Sequence, residues 1–344
     1  MGKKMVKIFT IVLVLILVGT GVMVSINFAA MSKNFENASP FNTDQQPKFR
    51  FMVIIDGSNL NYVAQFKEGA EAAALDYEVT YEFWDIAGND KYDDILQQFD
   101  IGVYSGVDGI IVATYNADPY MDAYRNVLIR ANELGIPVVT LNQDIANVEK
   151  VSHIAFNQYR IGSRIGFVLN KGLLLGGTIV VLQDEGNLQD DKARGIYENV
   201  TGEYEVKTVT IESEGENIFN AEGLTRQIIN EYSDLRAIVC TNSDVTMGVV
   251  QAIKDTNKVG NIIVVGNDIT EDIKDYIDKE VIFATVIADY WKLGYIAIET
   301  LVQFNQGEFV SSYPTIEVSI PSKDNINTYL EEAGLAYEET DQEN

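Results

Sequence analysis

Six short apolar runs in this chain break off into side chains that all form hydrogen bonds. "FMVII" is followed by Asp56, Ser58, Asn59 and Asn61. "GIIVA" is followed by Thr114, Tyr115, Asn116 and Asp118, and "IPVVTL" by Asn142, Gln143 and Asp144. "TIVVL" leads into Gln183, Asp184 and Glu185, "AIVC" into Thr241, Asn242, Ser243 and Asp244, and "NIIVVG" into Asn267, Asp268 and Thr270. Amides and hydroxyls donate and accept, and carboxylates accept strongly, so such a set matches a ligand rich in hydroxyl groups. The same residue types cap helices and make turns, and each cluster stands before a helical stretch. One cluster supports capping as well as it supports binding. Six of them support a lined cleft, because burying these groups unpaired costs about 1–3 kcal/mol each. Tyr62, Tyr115, Phe156, Tyr290 and Trp291 lie near these edges, where a flat ring either packs the core or stacks on the apolar face of a sugar.

Other chemistries fail for want of residues. Cys240 is the single cysteine and sits inside an apolar run, and His153 is the single histidine. That excludes an intramolecular disulfide, a Cys- or His-rich metal site and a Cys–His nucleophile. After the first run, "DGSNLNYVAQFKEGA" carries no glycine pattern for a pyrophosphate, and no phosphate loop or Gly-x-Ser-x-Gly elbow occurs. The adjacent acids Asp184–Glu185 and Asp190–Asp191 read as solvated turns. The sequence therefore predicts no enzyme, no cofactor and no metal. With 51 acidic against 25 basic residues and a formal charge of −26, the surface repels phosphate backbones, which excludes nucleic acid as a partner.

The elements that must position these residues are legible from periodicity. None of the six runs alternates polar with apolar residues, as expected of parallel strands covered on both faces. Between them, Met121, Tyr124, Leu128, Ala131 and Leu134 step at helical spacing, as do Leu224, Ile228 and Tyr232, and Met247, Val250 and Ile253. Strand, helix and strand in turn predict βαβ units in doubly wound sheets. A chain of this length divides into two α/β lobes, with the seam in "VSHIAFNQYRIG", residues 151–162.

The N-terminus is different material. Lys3, Lys4 and Lys7 precede Ile8–Phe28, a stretch without charge. At about 1.5 Å per residue it is long enough to cross a hydrocarbon core of roughly 30 Å. The lysines predict a cytoplasmic N-terminus with the remainder outside the membrane. A retained signal anchor, or cleavage near Ala29 or Ala30 and secretion, both follow from this stretch. The polar segment after it, with Pro40 and Pro47, reads as a linker.

In order, "FKEGAEAAA", "ANELGIPVVTLNQD", "VSHIAFN", "CTNSDVTMGVVQAI", "VVGND" and "GEFVSSYP" resemble segments of the type I periplasmic sugar-binding proteins, the ribose- and galactose-binding kind, over roughly residues 48–325. The resemblance implies an α/β fold of two Rossmann-like lobes with parallel sheets joined by a three-segment hinge, preceded here by the transmembrane helix. It also implies a sugar in the cleft and no catalysis. The implied division is 1–30 signal anchor, 31–48 linker, 49–155 with 288–316 N-terminal lobe, 156–287 with 317–330 C-terminal lobe, and 331–344 acidic tail. Asn242 and Asp268 stand where the family's sugar-binding asparagine and aspartate stand. Tyr62 takes the place of a stacking phenylalanine, with Asn59 beside it. The family's Asp-Arg pair appears as Asn142 and Gln143, which loses a charged bidentate contact. The family's arginine ahead of the "GF" helix appears most simply as Lys192, with Arg194 close by, and its glutamine near the last crossing is replaced around Ala288, leaving Asp289 as a neighbour. His153 falls in the crossing segment and reads as a hinge residue. The implied partner is the membrane permease of an ABC importer, to which ligand is delivered, or the extracellular domain of a membrane histidine kinase. A DNA-binding repressor of the same superfamily conflicts with the acidity, the apolar N-terminus and the lack of a helix-turn-helix ahead of Phe51.

Overall fold

The computed structural model describes residues 47–88, 90–115, 120–173, 176–184, 190–211 and 217–332. Ile8–Phe28, and with it the expected membrane anchor, lies outside the described residues, as do Asn116, Asp118 and Glu185. Among the described residues no helix is long and apolar enough to cross a membrane.

The compact unit begins at Phe49. Its first half alternates β1 (Arg50–Asp56), α1 (Leu60–Tyr77), β2 (Thr80–Ile86), α2 (Lys91–Tyr104), β3 (Gly109–Thr114), α3 (Tyr120–Glu133), β4 (Val138–Asn142) and β5 (Ser152–Phe156). Its second half runs α4 (Gln158–Leu169), β6 (Gly177–Asp184), α5 (Asp190–Asn199), β7 (Tyr204–Ile211), α6 (Asn217–Glu231), β8 (Leu235–Cys240), α7 (Ser243–Asp255), β9 (Ile263–Asn267), α8 (Glu271–Asp278) and β10 (Ala284–Ala288). Helix α9 (Tyr290–Asn305), the short strands β11 (Thr315–Ile316) and β12 (Val318–Ser319), and α10 (Ile326–Glu332) complete it. Two six-stranded sheets result, ordered β11-β5-β4-β3-β1-β2 and β12-β10-β9-β8-β6-β7. The pairings are parallel except for β10 with β12.

Each sheet is covered on both faces, which is why its central strands are uniformly apolar. All six residues of β3 are buried. Along β1, Phe51, Val53 and Ile55 pack on one face against Phe66 of α1 and Leu293 and Leu301 of α9. Met52 and Ile54 pack on the other against Phe99 of α2 and Leu128 of α3. In the second sheet, Val180 and Leu182 meet Val249 and Ile253 of α7, while Ile179 and Val181 meet Ile165 of α4 and Ile196 of α5. Each such side chain contributes about 1.5–3 kcal/mol by leaving water. Strands β2 and β7 were not among the six apolar runs. Each closes one edge of its sheet, opposite β11 or β12, and is half-buried and of mixed polarity.

The chain passes between the sheets three times. Asn157 joins β5 to α4, Asp289 joins β10 to α9, and Glu317 joins β11 to β12. In each lobe two helices flanking a crossing or a cleft edge approach at backbone distance. A Cβ on Gly69 of α1 would lie 1.8 Å from the Trp291 carbonyl oxygen, and one on Gly294 of α9 would lie 2.0 Å from that of Phe66. The second lobe repeats the device. A Cβ on Gly162 of α4 would lie 2.0 Å from the Lys192 carbonyl oxygen, and one on Gly195 of α5 would lie 2.3 Å from that of Tyr159.

Candidate functional site

The carboxyl ends of β1 and β9 meet across the two lobes. After β1 the backbone turns at Gly57, whose N–H donates to the Ile86 carbonyl at 2.7 Å and whose missing Cβ would meet the Asp85 carbonyl carbon at 2.9 Å. Asn59 then caps α1, its Oδ1 accepting from the Tyr62 N–H at 3.0 Å. Its Nδ2 reaches over to Asp268 Oδ2 in a long contact of 3.5 Å.

Asp268 is the hub on the second lobe. It is 3% exposed, and its φ of +66° places a non-glycine residue in the left-handed region. Such backbone persists only where neighbours hold it, and it gathers at ligand sites. Here the Asp268 N–H donates to the Val286 carbonyl at 2.8 Å, and the buried Thr285 hydroxyl donates to the Asp268 carbonyl at 2.6 Å. The Tyr290 hydroxyl donates to Oδ1 at 3.1 Å. Burial raises the Asp268 carboxyl above the ordinary carboxylate range, partly offset by hydrogen bonds from Tyr290, Asn267 and Asn59 and by the Lys192 charge.

Lys192, on the first turn of α5, is also 3% exposed. Burial pulls its ammonium down to about 8, although Asp268 favours the charge. Both charged groups are thus held poorly solvated in each other's field, where a ligand that hydrogen-bonds to either gains most. Cys240 lies near this lysine with its thiol pushed up to about 12 by burial, which removes it as a nucleophile.

Aromatic rings floor the crossing. Tyr62 meets Tyr290 edge-on with centroids 5.1 Å apart, and Tyr290 meets Phe156 at 5.7 Å. Trp291 instead stacks on Tyr295 at 5.3 Å along α9.

The remaining residues singled out in the sequence divide. Asn142 is exposed at the end of β4 with a φ of +72°, the counterpart in the first lobe of Asp268. Gln143 follows, its N–H donating to the Thr114 carbonyl at 3.2 Å. Thr114 itself is fully buried, and its hydroxyl reaches the carbonyls of Leu141 and Gln143. It braces this turn as Thr285 braces the other and presents nothing to a ligand, which corrects the expectation drawn from its place at a strand end. Tyr115 donates its hydroxyl to Asp56 Oδ2 at 2.9 Å. Asn242 caps α7, its Oδ1 accepting from the Val245 N–H at 2.8 Å. Asp289 is exposed at the crossing and caps α9 through the Lys292 N–H at 2.8 Å. For Asp289 the capping alternative describes what the side chain does here. His153 sits inside β5, bonded through Nδ1 to the Thr140 hydroxyl at 3.0 Å, so it is a sheet residue ahead of the crossing at Asn157.

Lys91 went unremarked in the sequence. Its Nζ lies 2.8 Å from Asp56 Oδ2 and donates to Ser58 Oγ at 2.9 Å. Burial raises the Asp56 carboxyl, but the Lys91 and Ser58 contacts outweigh it and hold the group below its ordinary value. The signal was the end of β2, an edge strand whose mixed polarity hid its place in the sheet.

Two lobes of like strand order, joined by three crossings and facing each other across polar strand ends, define a hinge-and-cleft binding protein of the type I periplasmic architecture. The chain belongs to the periplasmic binding protein domain family, whose model matches residues 51–308. Among curated relatives, the ribose import binding protein RbsB of Haemophilus influenzae is 27% identical over 206 residues, 59% of this chain and 69% of that protein. The D-ribose/D-allose-binding protein of Pseudomonas aeruginosa is 20% identical over 288 residues, 80% of this chain and 88% of its own length. Among solved structures, a sugar-binding protein of a sugar ABC transporter from Bacillus halodurans superposes with a TM-score of 0.70 at 19% identity, covering 81% of this chain and 99% of that one. The XylFII-LytSN complex gives 0.68 at 23% identity, covering 81% and 100%.

Proposed function

We propose that this protein captures a small neutral polyhydroxyl ligand, a sugar first of all, between its lobes and presents it to the membrane permease of an ABC importer. The observation that carries the reading is Asp268: a buried carboxylate on left-handed backbone, within reach of groups from both lobes and facing a buried lysine. Asp268 with Lys192, and Asp56 with Lys91, compensate each other in charge, which favours a neutral ligand over an ionic one. Asn59, Tyr62, Asn142, Gln143, Lys192, Asn242 and Asp268 are the proposed ligand contacts. Closure about the three crossings changes the outer surface, and that change is what the partner reads. The family's members are binding proteins, and no catalytic constellation was found in the sequence, so the protein acts without chemistry. The apolar Ile8–Phe28 segment would tether it outside the membrane.

A thermal-shift screen of the full chain against pentoses, hexoses, their alcohols, disaccharides and nucleosides tests this. A ligand at a hundred times its Kd stabilises by about 2.7 kcal/mol. A sugar that stands out supports the reading, and a flat screen across all of them contradicts it.

A second reading is a sugar receptor that signals to a sensor kinase. It is favoured by the proposed tether and by the neighbour solved in a complex, XylFII-LytSN. Deleting the gene separates the two: loss of sugar uptake supports import, whereas intact uptake with loss of sugar-dependent transcription supports sensing.

A further inference from the structure

Asp268 is held in two ways, and the two come from different lobes. Its backbone is fixed within its own lobe by β10: the Thr285 hydroxyl donates to its carbonyl at 2.6 Å, and its N–H donates to the Val286 carbonyl at 2.8 Å. Its carboxylate is reached from the other lobe. Tyr290, the first residue of α9, donates its hydroxyl to Oδ1 at 3.1 Å. Asn59, also of the first lobe, makes only the long contact of 3.5 Å with Oδ2. The closer bond between the lobes at this carboxylate is that of Tyr290, a residue outside the proposed ligand contacts.

The Tyr290 ring is itself fixed by the first lobe. It meets Tyr62 of α1 at 73° and Phe156 of β5 at 85°, edge-on in both cases, with centroids 5.1 Å and 5.7 Å away. Rings packed in this way hold one another in place and aim the hydroxyl. Of the two roles open to an aromatic residue at this edge, packing thus describes the ring, and the hydroxyl has a task of its own. Asn267, beside Asp268 on the second lobe, also bonds to the carboxylate. A donor of the same lobe moves with the carboxylate when the hinge moves. A donor carried by the opposite lobe does not, so the Tyr290 bond ties the direction of the carboxylate to how the lobes stand.

We infer that Tyr290 is a positioning residue of the cleft: from the opposite lobe it holds one carboxylate oxygen of Asp268 and leaves the other aimed at the ligand. This rests on the proposed sugar-binding function and adds to it a residue that acts through Asp268 alone. The bond also favours the ionised carboxylate, which burial opposes. Without the donor, burial pushes the carboxyl further up, so a ligand that needs the carboxylate is lost at a higher pH. In that acid range Lys192, titrating at about 8, stays charged. The hydroxyls of Tyr62 and Tyr290 and the Cys240 thiol, all raised by burial, stay neutral there. Asp56, whose charge acts on Tyr62, is held below its ordinary value by Lys91 and Ser58.

The test is calorimetric titration of the full chain, from neutral to acid pH, with the sugar that stabilises it most. Tyr290→Phe keeps the ring and removes the donor. It should bind about tenfold more weakly, as the loss of a hydrogen bond to a charged group predicts. Its binding should also fail at a higher pH than that of the wild type. In an Asp268→Asn background the same change should weaken binding only about threefold, since a neutral acceptor holds a donor about half as strongly. Phe156→Leu disturbs the ring packing but leaves the bond, and should not move the acid limb. Circular dichroism checks the fold of each variant, and Tyr290→Leu is read in place of Tyr290→Phe should the latter fail to fold. An unchanged Kd or acid limb in Tyr290→Phe overturns the positioning role while the proposed function stands. So does an equal loss in the Asp268→Asn background, or an acid limb that moves as far in Phe156→Leu. No binding of any sugar by the wild type overturns the proposed function and this inference together.

Discussion

The two lobes share a strand order, a pair of glycine-mediated helix contacts and a left-handed residue at matching strand ends, yet they arrange their polar groups in opposite ways. In the first lobe Asp56, Lys91, Ser58 and Tyr115 satisfy one another, and the left-handed residue, Asn142, is neutral and exposed. In the second lobe the left-handed residue is Asp268, buried with its charge, and the lysine facing it has lost its ordinary hydration. The first lobe is preorganised by internal pairing. The second keeps a carboxylate and a lysine buried together, the pair on which the proposed binding rests. A common scaffold thus carries both a self-satisfied wall and an under-satisfied one, and the difference lies in side chains at equivalent backbone positions.

The shared scaffold should be equally fragile in both lobes. Gly69→Ala and Gly162→Ala drive a Cβ onto a carbonyl oxygen at 1.8 Å and 2.0 Å, so denaturant titration should show each losing about 3 kcal/mol, near the upper end for overpacking. If one lobe tolerates the change, the equivalence of the two helix pairs is wrong.

The under-satisfied wall has a pH signature. A lysine with a depressed pKa in the folded state binds its proton less readily than in the unfolded chain, so folding carries a cost wherever the group is charged. That cost is full below about pH 8 and fades as the pH rises toward the ordinary lysine value of about 10.4. Wild-type stability relative to Lys192→Met should therefore rise by up to a few kcal/mol across that window, since each tenfold weakening of proton binding is worth about 1.4 kcal/mol. A constant gap between the two proteins across that window would show the lysine to be solvated.

The braced turns offer a finer comparison. Thr114→Val and Thr285→Val each remove a buried hydroxyl bonded to backbone carbonyl, costing about 1–2 kcal/mol. Thr285→Val should weaken ligand binding more than Thr114→Val, because it frees the turn that carries Asp268, whereas Thr114→Val frees the turn of the neutral Asn142 and Gln143. An equal or larger loss of binding in Thr114→Val, read by titration, would erase the distinction between the walls. Smallest is Gly223→Ala on α6, where a Cβ meets nothing within 4 Å. It should raise stability by roughly 0.5–1 kcal/mol, in contrast with the loss at the close-packed glycines.

The six apolar runs became β1, β3, β4, β6, β8 and β9, because burial on both faces writes itself as an unbroken β-branched segment. Strands β2 and β7 escaped since an edge strand is half-solvated, and β5, "SHIAF", escaped because Ser152 and His153 interrupt it, the one bonding to the Ser311 carbonyl and the other to Thr140 of β4. Of the candidate site, Asn59, Tyr62 and Asp268 were visible at strand ends or by resemblance, and the structure brings them together. Lys192 came by resemblance alone, because nothing in its local pattern says that α5 will bury it. Thr114 and Asp289 show the limit of reading polarity as availability, since one is spent on backbone carbonyls and the other on a helix cap. The Asp56–Lys91 pair depends on where α2 begins relative to the end of β1, a tertiary fact that no local spacing encodes.

The most direct measurement is a calorimetric titration of the wild-type chain and of Asp268→Asn with whichever sugar stabilises it most. The asparagine keeps the size of the side chain and the left-handed turn but removes the charge, and charge-assisted hydrogen bonds are worth about 1.5–3 kcal/mol. A loss of about ten- to a hundredfold in affinity, with the fold intact, is the result expected if Asp268 is the centre of the site. An unchanged Kd would contradict it.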